Sequence, residues 1–152
     1  MGLFDSINAA GSALTAERLR MDVTAENLAN AQSTRGADGQ PYRRKEVILQ
    51  QKASNDFGST LNAAMGSGRP NGSSADAGGV EVGGIVEDQT PFRLQYDPGH
   101  PDANAEGYVE MPNVNPVTEM VDLISASRGY EANVTAMQTA KQMFSKTLDI
   151  LR

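Results

Sequence analysis

The chain has 152 residues, of which 39% are hydrophobic and 5% aromatic, and it carries 15 glycines, so a large enzyme-like core is not expected. Its formal net charge of −6 argues against nucleic-acid binding, because phosphate contacts need concentrated Lys and Arg. The lack of cysteine excludes a disulfide framework and a thiolate zinc site. There is no signal-peptide pattern and no run of about 18 apolar residues, so we expect a soluble protein whose export, if any, leaves the N-terminus intact.

The first segment predicts a long amphipathic helix from Gly2 to about Ala31. A repeat of alternating three- and four-residue steps runs through it, and we term its members Ile7, Leu14, Met21 and Leu28 the N-terminal stripe. Gly11 belongs to the same repeat. It is either a tolerated weak position or a point where a neighbouring helix approaches closely.

Beyond the helix the pattern becomes extended. A turn at 38–41 precedes a predicted strand from Tyr42 to Gln50, and the basic cluster 43–45 is interpreted as its solvated start. Residues 53–79 are rich in Gly, Ser, Asn and Ala, which predicts a flexible loop. Three further short strands are predicted at 80–86, 92–96 and 108–111, the first interrupted by a bulge or bend at Gly83 and Gly84.

One cluster resembles a metal or catalytic site: Asp97, His100 and Asp102 lie close together in the sequence. Their spacing fits neither zinc nor EF-hand patterns, and a Pro- and Gly-rich turn explains the same residues. The single histidine has no nucleophile or carboxylate partner assignable from spacing. We therefore predict no metal, no cofactor and no catalytic residue.

The last segment predicts a second long helix, with Asn115 as N-cap and Pro116 at the first helical position. Its repeat, which we term the C-terminal stripe, is interrupted by Ser127 and Lys141 and otherwise consists of Met120, Leu123, Tyr130, Val134, Met137, Phe144, Leu148 and Leu151. Gly129 lies beside it and allows the same two explanations as Gly11. A helix of roughly 50 Å exceeds what this chain needs to cover its own core, so a partner is expected.

These elements predict an α+β protein: long terminal helices forming a coiled-coil-like pair or bundle, and a small, mostly antiparallel β module with a flexible loop between them. The predicted divisions are an N-terminal helix at 1–35, the β module at 36–112 and a C-terminal helix at 113–152.

Two short motifs carry a resemblance to a known family. The N-terminal motif is Asn27, Leu28, Ala29 and Asn30, and the C-terminal motif is Pro112, Asn113, Val114, Asn115 and Pro116. Matching stretches also occur at 14–23, 41–45, 100–103, 107–109 and 125–133. With these residues the chain resembles the bacterial flagellar basal-body rod proteins, particularly proximal-rod subunits, over most of its length outside 53–79. The family usually has isoleucine in place of Leu28 and alanine in place of Gly129.

The resemblance implies a non-enzymatic structural subunit of the periplasm-spanning rod, which transmits torque from motor to hook. It implies export through the flagellar type III apparatus without signal-peptide cleavage. The terminal helices would pack against other rod proteins and copies of the same chain, with no nucleic-acid or small-molecule partner.

Two alternatives remain open at the level of sequence. A soluble adaptor whose two helices pair only within the chain has the same stripes. A small metal-dependent enzyme would use Asp97, His100 and Asp102. Molecular size and helicity in dilute solution distinguish the adaptor from an assembly subunit. A metal titration tests the enzyme alternative.

Overall fold

A computed structural model describes residues 3–36, 39–52 and 78–150. In chain order its elements are α1 (Leu3–Ala29), β1 (Lys45–Gln51), β2 (Val80–Glu87), β3 (Arg93–Tyr96), β4 (Tyr108–Met111) and α2 (Pro116–Ile150). The predicted α+β class is confirmed. Most of the predicted flexible loop at 53–79 lies outside the described residues, as does Leu151, and the predicted division into 1–35, 36–112 and 113–152 stays a prediction.

The end of α1 and the start of α2 are each marked by a side chain that hydrogen-bonds to the backbone. The Asn115 carbonyl accepts from Glu119 N at 3.0 Å and its Oδ1 accepts from Val117 N at 3.1 Å, which confirms Asn115 as N-cap. At the end of α1 the Asn30 side-chain amide donates to the Glu26 carbonyl at 2.9 Å. Such local bonds compete with continued helix and favour termination here.

The two helices pack against each other in antiparallel orientation. Asn27 near the end of α1 bonds Glu119 near the start of α2, whereas Gly11 lies beside Met137. The buried apolar residues of the pair are small: Ala16, Val23, Ala126 and Ala140. Because α2 has 35 residues and α1 has 27, the end of α2 extends beyond its partner.

The strands form two separate two-stranded antiparallel sheets, β1–β2 and β3–β4. In the first sheet Ile48 pairs with Gly84 and Leu49 with Val82, so Gly83 is left without a partner. The bulge expected from the glycine pair is confirmed. β1 begins three residues later than predicted, since the amides of Arg44 and Lys45 donate to asparagine side chains instead.

The β1–β2 sheet docks on α1 through the segment that enters β2. Val80 N donates to Ser12 Oγ at 3.0 Å, and Ser12 Oγ donates to the Ala9 carbonyl at 2.8 Å. Gly79 has a φ of 84°, and a Cβ there would collide with Ser12 Oγ and lie 3.4 Å from Ala9 Cα. Position 79 therefore requires glycine, because the backbone that enters β2 approaches α1 closely there. At Gly11 an added Cβ would meet only Met137 Cε, at 3.8 Å.

This contact predicts that Gly79→Ala destabilises the fold more than Gly39→Ala. Both glycines have positive φ, which costs roughly 1–2 kcal/mol for an L side chain. A Cβ on Gly39 has nothing within 4 Å, whereas Gly79→Ala adds an overpacking cost of about 1–3 kcal/mol against Ser12 and Ala9. Urea unfolding of the two variants measures the difference, and equal losses would refute close packing at Gly79.

Candidate assembly surface

A buried polar cluster ties the two helices to the segment that precedes β1. Asn27 is 1% exposed, and its Nδ2 donates to Glu119 Oε2 at 3.0 Å and to the Lys45 carbonyl at 2.8 Å. Its Oδ1 accepts from Lys45 N and from the Tyr42 hydroxyl, both at 2.9 Å. With two donors and two acceptor positions used, the burial of this amide is fully compensated.

The cluster also contains a buried ion pair. Glu119 is 1% exposed, and its Oε1 accepts from Arg44 Nε at 2.6 Å. Arg44 lies within 3.5 Å of Asp122 and 3.8 Å of Glu46. The hydrogen bond to Glu119 raises the pKa of the Arg44 guanidinium, partly opposed by burial. The interpretation of this basic cluster as solvated is therefore wrong for Arg44, which neutralises a buried carboxylate on α2.

The C-terminal motif completes this junction. Asn113 Oδ1 accepts from Arg44 N at 2.8 Å, and its Nδ2 donates to Thr90 Oγ1 at 2.9 Å. Pro112 and Val114 are buried on either side of it. In the N-terminal motif Asn27 is buried, Leu28 and Asn30 are half-buried, and Ala29 is exposed. The motif asparagines thus act mainly on the backbone, at the places where the chain enters and leaves the helices.

The two predicted stripes meet at one surface depression between the helices. Met21 of α1 shares a surface depression with Leu123, Ser127 and Ile124 of α2. Arg44 and β1 instead meet the helices along Val23, Asn27 and Asp122. The stripe members with intermediate burial are Ile7, Leu14, Met21, Leu28, Leu123, Tyr130, Val134 and Met137. We refer to the depression lined by Met21, Leu123, Ile124 and Ser127 as the stripe groove.

Two further apolar surfaces lie on α2. Beside the stripe groove, Val117 is 64% exposed, Val121 60% and Ile124 54%, and Met120 extends this outer patch at 46%. Near the end of the helix, Met143 is 51% exposed, Phe144 41% and Leu148 53%. Contiguous apolar surface on a small chain marks an interaction site more often than isolated exposed residues do.

The His100 loop is a structured turn. Asp102 Oδ2 accepts from Thr34 Oγ1 at 2.9 Å, and its Oδ1 lies 3.4 Å from Arg35 Nη1. His100 Nδ1 accepts from Asp102 N at 3.1 Å. Across residues 3–36, 39–52 and 78–150, no group of three or more acidic or histidine side chains is placed to hold a metal ion. The expected absence of metal binding stays a prediction.

Sequence reasoning predicted no buried partner for Arg44, for Tyr42 or for the carboxylate of Glu119. A signal for Glu119 is present: it precedes Leu123, Ala126 and Tyr130 at steps of four, three and four, so a charge occupies the inward face. A charge on that face predicts a buried partner. The sequence does not identify this partner, because Arg44 is 75 residues from Glu119 and is brought to it only by the tertiary structure.

Two family models match the ends of the chain where this surface lies. Residues 7–37 match the model described as flagella basal body rod protein. Residues 105–150 match the C-terminal model of flagellar basal body rod FlgEFG proteins. The helix pair, with its motif asparagines and apolar stripes, is thus that of the flagellar basal-body rod class.

Individual relatives narrow the class over nearly the whole length. The flagellar basal-body rod protein FlgC of Bacillus subtilis (strain 168) is 53% identical, with 99% of each chain covered. FlgC of Borreliella burgdorferi is 46% identical over 100% of this chain and 99% of the relative, and FlgC of Escherichia coli O157:H7 is 48% identical over 99% and 98%. The chain belongs to the flagellar basal-body rod protein FlgC family. It is a structural component of the rod.

The polar cluster predicts a specific pH response through Tyr42. Burial, with smaller effects from Glu26 and Glu119, raises the pKa of Tyr42 to about 12 from 10.0. The folded chain thus holds the phenol proton more tightly than the unfolded chain, so this contribution to stability is present below pH 10 and is lost as the pH rises through 12.

Urea unfolding between pH 9 and 12 should therefore show a steeper fall in stability for the natural chain than for Tyr42→Phe, which has no phenol proton to lose. The comparison removes the common effect of lysine titration. Parallel curves for the two proteins would contradict the raised pKa.

Proposed function

We propose that this chain joins the rod by receiving a helix of a neighbouring subunit in the stripe groove. The observation that carries the proposal is that the two stripes, found independently in the sequence, meet at the depression between Met21 and Leu123, and that their described members remain half-buried or exposed. The neighbours are other rod proteins and copies of this chain. The assembled rod transmits torque from motor to hook.

The energetics support a helical occupant. Full burial of a Leu, Met or Val side chain contributes about 1.5–3 kcal/mol relative to exposure, and half of that remains available at half-buried positions. The stripes carry such positions at heptad spacing on two helices, an arrangement that a third helix fills by inserting side chains between theirs. A helix that followed the whole of α1 would be about 40 Å long.

A second contact surface is proposed for the outer patch of Val117, Val121 and Ile124. Val117 and Val121 are exposed by more than half and lie outside the depression that Ile124 shares with Met21, so a helix in the stripe groove leaves part of the patch uncovered. A subunit with two different contact surfaces forms head-to-tail interfaces, which extend into rings or helical assemblies. A rod requires that geometry.

We also propose that the chain reaches the periplasmic rod through the flagellar type III export apparatus without losing a signal peptide. Support comes from the family relationship. A core built from Ala and Val side chains fits a subunit that is unfolded before passage, because little apolar burial opposes its unfolding.

The adaptor alternative shares the intramolecular pairing of α1 and α2. It leaves the exposed outer patch and the apolar end of α2 without a role, whereas rod assembly covers both. The enzyme alternative has no support in the His100 loop, whose carboxylate is engaged by Thr34 and Arg35.

Three substitutions on α2 test assembly. Phe144→Asp places a charge in a contact that assembly would bury, so we expect loss of swimming. Ser127→Leu overpacks the stripe groove by about 1–3 kcal/mol and should impair swimming. Lys141→Gln, at an exposed position one turn before Phe144, is the matched control and should leave swimming nearly normal. Motility is measured in cells carrying each substitution.

Export of each variant is measured separately, as the amount of chain outside the cytoplasm. An exported Phe144→Asp chain that supports normal swimming would exclude the end of α2 from the interface. A loss of swimming in Lys141→Gln equal to that in Phe144→Asp would show that the effect is not specific to apolar contact.

A further inference from the structure

The apolar contact between the helices does not by itself define their register. Its buried residues are small and recur at heptad distances: Ala16 and Val23 are seven residues apart, and Ala126 and Ala140 are fourteen apart. On α1 a slip of seven residues exchanges Ala16 with Val23, whereas on α2 it brings Asn133 to the place of Ala126 or Ala140. Because none of these side chains is large, packing volume distinguishes such registers only weakly.

The polar cluster behaves differently under the same slip. Asn27 and Glu119 are each 1% exposed, and their 3.0 Å contact forms in one alignment. Moved seven residues one way, Asn27 would meet Ala126, and moved the other way it would lie beyond Pro116, where α2 begins. Either slip leaves a buried amide without its carboxylate partner, which is costly.

The cluster also links this register to the rest of the chain. Asn27 bonds both the N–H and the carbonyl of Lys45, and Arg44 bonds Glu119 and Asn113. α1, the start of β1 and the start of α2 are thereby aligned by one group of side chains.

We infer that Asn27, Arg44 and Glu119 act as a register lock for the α1–α2 pair, so that their buried polarity provides conformational specificity rather than stability. Replacement of buried polar groups by apolar side chains of similar size is often neutral or stabilising in proteins, whereas a unique alignment depends on the polar partners. The stripe groove depends on the lock, because its two sides lie on different helices.

The test replaces the lock with apolar residues in the full-length chain, as Asn27→Leu/Arg44→Met/Glu119→Leu. The chain has no cysteine, so spin labels attach only at introduced Thr15→Cys and Ser125→Cys, both exposed and on different helices. We expect one narrow interlabel distance with the natural lock. In the variant we expect a broadened distribution of interlabel distances, or a second distance that differs by up to about 10 Å, the rise of seven helical residues. The helical circular dichroism signal should be retained.

The matched control, Glu26→Gln/Lys45→Met, removes a partly exposed ion pair of 2.6 Å beside the lock and should keep the single distance. A second variant, Asn27→Leu/Glu119→Leu, keeps the ion pair between Arg44 and Asp122. Its interlabel distances should change as they do in the triple variant. A single unchanged distance in both lock variants would overturn the inference. So would loss of helical signal in both, since the cluster would then supply stability, or equal broadening in the control.

Discussion

The buried contact between Asn27 and Glu119 is the interaction on which the other parts of the structure depend. An amide and a carboxylate at 1% exposure persist only with every partner in place, and those partners come from α1, from residues 42–45 and from α2. Through Lys45 the contact positions β1, and through Arg44 and Asn113 it positions the entry to α2. The contact between Asn27 and Glu119 thus orients the two helices, the start of β1 and the stripe groove.

Sequence periodicity predicted the elements well, because caps and heptads are local. Asn115 and Pro116 placed the start of α2 correctly, and the glycine pair placed the bulge of β2. The same periodicity did not predict which helix residues are most deeply buried. Large residues such as Leu14 and Met21 dominate the pattern, yet Ala16 and Ala126 are the buried residues, since alanine lets two helices approach closely without standing out in a hydrophobic repeat.

Long-range features escaped prediction for a related reason. Arg44 in a run of three basic residues looked solvated, because the carboxylate that neutralises it is 75 residues away. Gly79 looked like part of a flexible loop, yet its φ of 84° and its approach to Ser12 define it as a docking point. In the candidate site, the stripes were predicted as apolar helix surfaces, but their convergence on one groove depends on the antiparallel pairing, which no single segment contains.

The distribution of side chains explains why such a chain functions within an assembly. The largest fully buried side chains of the described residues are Glu119, Asn27 and Pro112, none of which is a large aliphatic or aromatic group. The described Ile, Leu and Met side chains of the helices are instead half-buried or exposed. Apolar burial is the main favourable term in folding, and much of it is not used within this chain. In the proposed assembly, stability and assembly are coupled: the residues that would enlarge an independent core are those that a neighbouring helix would cover.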